Sequence, residues 1–104
     1  MINLFGEHDV TTVLINGANG RMGQEAVKAI TANEQLSLIA TGNRGDDLNQ
    51  LITKHNPDVV VDLTTAECVY ANTKTIIDQN VHPVIGASGL TPEQVAELQA
   101  LCEQ

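Results

Sequence analysis

The sequence predicts an α/β fold: a doubly wound parallel sheet of four strands in order 2-1-3-4, with helices on both faces. Three observations predict it. Short apolar runs alternate along the chain with stretches whose apolar residues recur at helical spacing. The first run, Val13-Leu14-Ile15, meets three glycines, Gly17, Gly20 and Gly23, and restarts at once as a helix. The run Val59-Val60-Val61 is uniformly apolar, as a strand is in the middle of a parallel sheet covered on both faces. Connections are short and parallel crossovers are right-handed. If the third strand returns to the far side of the first, a topological switch lies between strands one and three, where such sheets bind ligands.

Each element has its own local reason. Residues 1–10 show no period and mix Gly6, Glu7, His8 and Asp9, which reads as a lead-in free to fray. Residues 12–16 form the first strand, and the first helix covers 21–32 with Met22, Ala26, Ala29 and Ile30 on one face until Asn33 and Glu34 end it. The second strand is 36–41, closed by Gly42. Gly45-Asp46-Asp47 then opens a helix through 55 with Leu48, Leu51 and Ile52 inward. Asn56-Pro57 stops it, because the residue before a proline is pushed out of the helical region.

The third strand is 58–62. Thr64 and Glu67 have the spacing of a capping box, opening a helix to residue 79 that buries Val69, Thr73, Ile76 and Ile77, with Asn80 closing it. Residues 82–86 form the fourth strand, its proline near the start where a missing N–H is tolerated. Thr91-Pro92-Glu93-Gln94 is the clearest helix start in the chain: a threonine cap, a proline at the first helical position and a glutamine three residues on from the cap. The last helix stacks Val95, Leu98, Leu101 and Cys102.

Composition narrows the function. A chain of 104 residues is one domain, able to bury roughly 65% of its unfolded surface. A formal charge of −8 excludes a nucleic-acid surface, which needs a basic stripe. Any phosphate must therefore be held locally, by backbone amides and a few arginines, and that gives Arg21 and Arg44 weight. Cys68 and Cys102 lie far apart without a C-x-x-C spacing and read as reduced thiols on helices. No membrane-length apolar run and no basic-then-apolar leader is present, so the expected compartment is the cytoplasm.

The glycine turn carries the chemistry. A strand that stops at such a turn and restarts as a helix aims backbone N–H groups and the positive end of the helix dipole at one spot, where a pyrophosphate binds. Gly17 makes the tight turn, Gly20 lets the backbone approach the phosphates, and Gly23 lets helix and strand pack closely. Asn19 suits the turn because asparagine visits left-handed conformations. The spacing is G-x-x-G-x-x-G rather than G-x-G-x-x-G, and the flanking strand and helix supply the context the motif requires.

A dinucleotide site needs a second loop, about 20 residues on, where an acid binds the ribose 2′-hydroxyl of NAD or an arginine takes the 2′-phosphate of NADP. Asn43 holds the acidic position and Arg44 follows. This favours NADPH, with NADH tolerated because Asn43 still hydrogen-bonds a diol. Gly86-Ala87-Ser88-Gly89 is no nucleophile elbow, since G-x-S-x-G needs a glycine at Leu90. His8, His55 and His82 are scattered without metal-like or triad-like partners. Asp62 ends a buried strand near the switch, either as a functional carboxylate or as a cap for the loop that follows.

Residues 15–23, INGANGRMG, followed by QEAV, resemble the amino-terminal motif of bacterial dihydrodipicolinate reductases (4-hydroxy-tetrahydrodipicolinate reductases). PDVVVDLTT at 57–65 resembles the family's strand ending in D-[FL]-T-x-P, and VIGASGL at 84–90 its V-[IV]-G-T-T-G-[FL]. The resemblance implies a Rossmann-like NAD(P)H-binding domain of a reductase in lysine and diaminopimelate biosynthesis. It implies that Gly17, Asn19, Gly20, Arg21, Met22 and Gly23 surround the pyrophosphate. Asn43 and Arg44 then sit at the adenosine ribose, while Leu63, Thr64, Gly86 and Ser88 line the nicotinamide pocket.

The sequence also departs from the family. Asn43 replaces the usual acid, Ala87 and Ser88 replace two threonines, and the connection from Gly42 to Pro57 is short. The family's carboxyl-terminal domain, with its H-H-x-x-K-x-D-x-P-S-G-T-A segment, substrate site, general acid and tetramer contacts, has no counterpart before Gln104. The expectation is a cofactor domain that binds dinucleotide without completing catalysis, in a full-length enzyme that is a homotetramer and takes its small-molecule substrate with the other domain. The alternative is a non-catalytic nucleotide-sensing or interaction module of the same fold.

Overall fold

The computed structural model describes residues 10–86 and 90–102. The lead-in expected before Val10 and the residue Ser88 lie outside them. The order is β1 (Thr11–Asn16), α1 (Arg21–Thr31), β2 (Leu36–Gly42), α2 (Leu48–His55), β3 (Val59–Asp62), α3 (Ala66–Asp78), β4 (His82–Ile85) and α4 (Pro92–Cys102). The sheet runs β2-β1-β3-β4 and every pairing is parallel, so the expected strand order holds. The switch falls between β1 and β3, whose carboxyl ends, Asn16 and Asp62, lie side by side.

Alternation along the strands sends side chains to two cores. On one face Leu14 and Val60 pack with Leu48 and Ile52 of α2, Ile76 of α3, and Val81. On the other Val13 and Ile15 pack with Ala18 and Ile30, and Ala26, Val27 and Val61 close around them. Leu14, Ile15, Val60, Val69 and Ile76 are fully buried, each worth about 1.5–3 kcal/mol of transfer free energy.

The helices differ from expectation in three places: along α1, where Ala29 is exposed as well as Met22, at the start of α3, and in α4. Met22 does not face inward: it is 60% exposed, and the buried face of α1 is Gly23 and Ile30 with Ala26 and Val27 half-buried beside them. Gly23 sets that rotation, because it faces the turn so closely that a Cβ there would overlap the Gly17 carbonyl oxygen. The expected capping box at Thr64 is also absent. Helix α3 starts from Thr65 without a side-chain cap, because the Thr64 hydroxyl is taken by Asp62. At α4 the box forms as read: the Thr91 hydroxyl accepts from the Gln94 N–H at 3.1 Å, and the Gln94 side chain accepts from the Thr91 N–H at 3.0 Å. Within α4, Leu98 is buried and Leu101 half-buried, while Val95 and Cys102 are exposed.

Two asparagines stop helices by entering the left-handed region: Asn56 with φ 48° after α2 and Asn80 with φ 61° after α3. Asn19 does not, so the turn at the first loop relies on Gly17 instead. The edge strand β4 is guarded by its proline. His82 and Gly86 donate toward β3, to Asp58 and Asp62 carbonyls, so the alternating pleat turns the Pro83 nitrogen to the open edge, where it withholds a donor from further pairing.

Candidate functional site

Three loops meet at the carboxyl edge of the sheet, and backbone hydrogen bonds fix them to one another. The Gly17 and Ala18 N–H groups both donate to the Gly42 carbonyl, at 2.8 and 3.2 Å, tying the first loop to the end of β2. The Leu63 N–H donates to the Asn16 carbonyl at 2.9 Å, tying the end of β3 to the end of β1. Asn43 then reaches back to the first loop, its Oδ1 accepting from the Asn19 N–H at 2.7 Å.

The three glycines of the first loop have three different reasons. Gly17 has φ +89°, and a Cβ there would come within 2.9 Å of the Leu63 carbonyl oxygen. At Gly23 a Cβ would overlap the Gly17 carbonyl oxygen and lie 2.7 Å from the Ala18 backbone. Both are demanded by the chain itself. Gly20 is not: it has φ −71°, and its nearest neighbour to a Cβ is the Gly17 carbonyl oxygen at 3.6 Å, an ordinary contact. An alanine fits there as far as the described residues are concerned.

Gly20 is also where α1 begins, and α1 begins open. No side chain caps it and its first turn carries no acid, so N–H groups at the positive end of the dipole stay available to an outside acceptor. By contrast α2, whose start borders the same space, is capped by Asp47, which accepts from the Gln50 N–H at 3.2 Å.

The loops enclose a cleft of about 640 Å³, within the size range of small-molecule sites. It gathers Gly17, Asn19 and Gly20 from the first loop, Asn43 and Arg44 from the second, and Leu63 and Thr64 from the third. Arg21 and Met22 are exposed at the start of α1 beside it, and Gly23 is buried beneath, so these three do not line its wall. Gly86 lies outside the lining as well; a Cβ there would overlap the Leu63 side chain, which gives that glycine a packing reason.

The cleft adds residues that the sequence reading did not single out for it: Asn16, Asp46, Cys68 and Asn72. Asn72 arrives from the second turn of α3, and Asp46 by a local turn that its carboxylate closes on the Asn43 N–H. Their positions carried no motif. Asp62 proves to be the loop cap: its Oδ1 accepts from the Thr64 N–H at 3.1 Å and from the Thr64 hydroxyl at 2.6 Å. The Asn72 amide in turn donates to the Thr64 hydroxyl at 3.2 Å. With its proton on Asp62 and one lone pair taken by Asn72, Thr64 can offer a ligand only its remaining lone pair. Asp62 is fully buried, and among the described residues its Oδ2 has no hydrogen-bond partner.

Chemically, the edge offers donors for an anion at the start of α1, a cation at Arg44 and a fixed acceptor at Thr64. Among the described residues no three His, Cys, Asp or Glu side chains converge on a metal site, and no helix is long and apolar enough to cross a membrane. Both cysteines are exposed and free, Cys68 on α3 and Cys102 on α4.

The sequence pattern described as "Dihydrodipicolinate reductase, N-terminus" matches residues 11–104. The chain is 47% identical over 93 residues to a 4-hydroxy-tetrahydrodipicolinate reductase of Legionella pneumophila (strain Corby), covering 89% of this chain and 38% of that protein. A reductase of the same name from Coxiella burnetii (strain Dugway 5J108-111) is 44% identical over 90 residues, covering 86% and 38%. The chain thus spans well under half the length of these relatives. In structure it is similar to a dipicolinate-bound dihydrodipicolinate reductase from Paenisporosarcina sp. TG-14, with TM-score 0.81 and 31% identity over 88% of this chain and 43% of that one. A biliverdin reductase from Synechocystis sp. PCC 6803, at 15% identity and TM-score 0.73 over 91% of this chain and 35% of that one, shares the fold alone. The fold is therefore Rossmann-like, and the chain belongs to the dihydrodipicolinate reductase family.

Proposed function

We propose that this chain is the NAD(P)H-binding domain of a dihydrodipicolinate reductase. The observation that carries the reading is Gly20, a glycine with no reason in the protein, set at an uncapped helix start between two glycines that have one. The missing side chain leaves room for a phosphate to approach the backbone. The pyrophosphate lies across Gly17, Asn19 and Gly20, with Arg21 and Met22 at the rim and Gly23 holding α1 against the turn. Asn43 and Arg44 take the adenosine ribose, and Arg44 tilts the choice toward NADPH by pairing with the 2′-phosphate. Leu63 and Thr64, with Gly86 and Ser88, receive the nicotinamide end.

When bound, the reduced dinucleotide supplies a hydride. The chain's own part is to hold and orient. Asp62 and Asn72 fix the Thr64 hydroxyl so that it presents a lone pair to a donor such as a carboxamide N–H. Leu63 covers the loop junction with apolar surface, excluding water from that end. In the whole enzyme, a cytoplasmic homotetramer, the acceptor is a cyclic dihydrodipicolinate-type substrate of lysine and diaminopimelate biosynthesis. The dipicolinate carried by the Paenisporosarcina protein supports a pyridine-dicarboxylate-like shape for it. No catalytic residue is assigned in this chain; the substrate and its proton donor belong to the part of the relatives that it does not span, and the 104 residues alone turn over no substrate.

The test is calorimetric titration of the chain with NADPH and NADH, repeated on Gly20→Ala. Both cofactors bind the parent saturably, and the alanine weakens them about tenfold or more by blocking the phosphate's approach. Absence of binding at millimolar cofactor, or a Gly20→Ala variant that binds as well as the parent, overturns the reading.

A further inference from the structure

The turn after β2 holds a charge opposite in sign to Arg44. The Asn43 N–H donates to the Asp46 Oδ2 at 2.8 Å, and the Asp46 N–H returns a bond to the Asn43 carbonyl at 3.0 Å. The turn therefore closes on itself and fixes the Asp46 carboxylate rather than leaving it to swing in solvent. Asn43 also tethers this turn to the glycine loop through its Oδ1 on the Asn19 N–H. Asn43, Arg44 and Asp46 all line the cleft. Among the described residues the ion pair is Lys28 with Glu25, so Arg44 and Asp46 do not neutralise each other.

We propose that Asp46 is a specificity-determining residue: its carboxylate accepts from the ribose 2′-hydroxyl of NAD(H) and repels the 2′-phosphate of NADP(H). This deepens the cofactor reading above and rests on it. The chemistry of the three side chains separates their roles. Asn43, with one lone pair of its carbonyl oxygen held by the Asn19 N–H, keeps both of its N–H donors, which suit a hydroxyl and a phosphate oxygen alike. Arg44 favours the phosphate. Asp46 alone favours the hydroxyl, since an ionised carboxylate accepts and never donates. The acid that such folds place at the end of the second strand is missing at Asn43, and the chain returns one three residues later on the same backbone N–H. Arg44 and Asp46 pull in opposite directions, so the site accepts both dinucleotides.

The test isolates the adenosine end with two fragments that differ only in the 2′-phosphate, adenosine 2′,5′-bisphosphate and 5′-AMP, titrated calorimetrically into the 104-residue chain. Asp46→Asn keeps an acceptor for the Asn43 N–H and removes the charge; Asp46→Ser repeats the change with a different acceptor. Asp47→Asn removes the same charge one residue away, at a helix cap that does not line the cleft. The ratio of affinities for adenosine 2′,5′-bisphosphate over 5′-AMP rises about five- to tenfold in both Asp46 variants, as expected for a unit charge a few ångströms from a phosphate near a wet surface. It changes less than about twofold in Asp47→Asn. An unchanged ratio at Asp46, or an equal rise at Asp47, overturns the assignment while leaving the cofactor reading intact. Failure of the parent chain to bind either fragment at millimolar concentration overturns both.

Discussion

The two ends of the sheet follow opposite plans. At the amino edge, Thr12 and Asp58 on neighbouring strands complete each other. The Asp58 carboxylate accepts from the Thr12 N–H at 2.9 Å, and the Asp58 N–H reaches the Thr12 hydroxyl at 2.9 Å and carbonyl at 3.0 Å. At the carboxyl edge, groups are left over among the described residues: α1 opens without a side-chain cap, Gly20 keeps space that none of them fills, and Asp62 buries an oxygen that none of them pairs. Buried polar atoms are otherwise paired in folded proteins, so the leftovers mark where the fold has given up stability. One edge is built to close the structure and the other to receive something.

The largest effect that would sharpen this comparison lies within the glycine loop. Gly23→Ala pushes a methyl into the Gly17 carbonyl, a backbone atom that cannot rotate away. It costs about 3 kcal/mol or more, and α1 shifts off the turn. Gly20→Ala loses only the preference for glycine over alanine at a helix cap, about 1 kcal/mol. Urea unfolding of both variants measures the difference. Equal losses would mean that Gly20 is as structural as Gly23, and the argument from its empty space would fail.

Asp62 gives the next effect. Asp62→Ala strips the Thr64 N–H and hydroxyl of their acceptor and opens a void, costing about 2–3 kcal/mol. Asp62→Asn keeps an acceptor and exchanges the unpaired charged oxygen for a neutral amide, so its stability stays within about 1 kcal/mol of the parent. An asparagine variant as damaged as the alanine one would show that the second oxygen does have a partner, and that the carboxyl edge is better closed than it looks.

How far the sequence reaches is visible in the same residues. The elements and strand order are legible because each is written locally: Thr91 and Gln94 cap α4 as their spacing says, Asn56 stops α2 before a proline, and Val59-Val60-Val61 takes an interior strand. Gly17 and Gly23 are legible because turn geometry and close approach are properties of a short segment. The errors arise where a neighbouring group outcompetes the motif. Thr64 and Glu67 have capping-box spacing, yet Asp62 captures the hydroxyl and α3 starts one residue later. Met22 has the period of an inward residue, yet Gly23 takes the contact with the turn and rotates it outward. Asn72 joins the cleft through a bond from α3 to Thr64 in the loop after β3, and Asp46 through a turn that its own side chain closes on the Asn43 N–H.

The smallest effect tests the closed edge. The Thr12 amide first, then its hydroxyl, and beyond them the charge of His82 hold the Asp58 carboxyl below its ordinary value of 3.8, against a slight opposing push from burial. A carboxylate whose pKa is lower in the folded state stabilises the fold when ionised. That contribution is complete above the unfolded value of 3.8 and disappears as pH falls through the lower folded value. Asp58→Asn removes it. The stability difference between parent and variant should therefore be flat from neutral pH down to about 4 and shrink below that. The group is exposed, so solvent keeps the difference small. Chemical denaturation of both proteins across pH 2.5–7 (about six points suffice) measures it. A difference that persists unchanged to the acid end would mean that the Thr12–Asp58 pair holds the edge by shape, with no contribution from the carboxylate's charge.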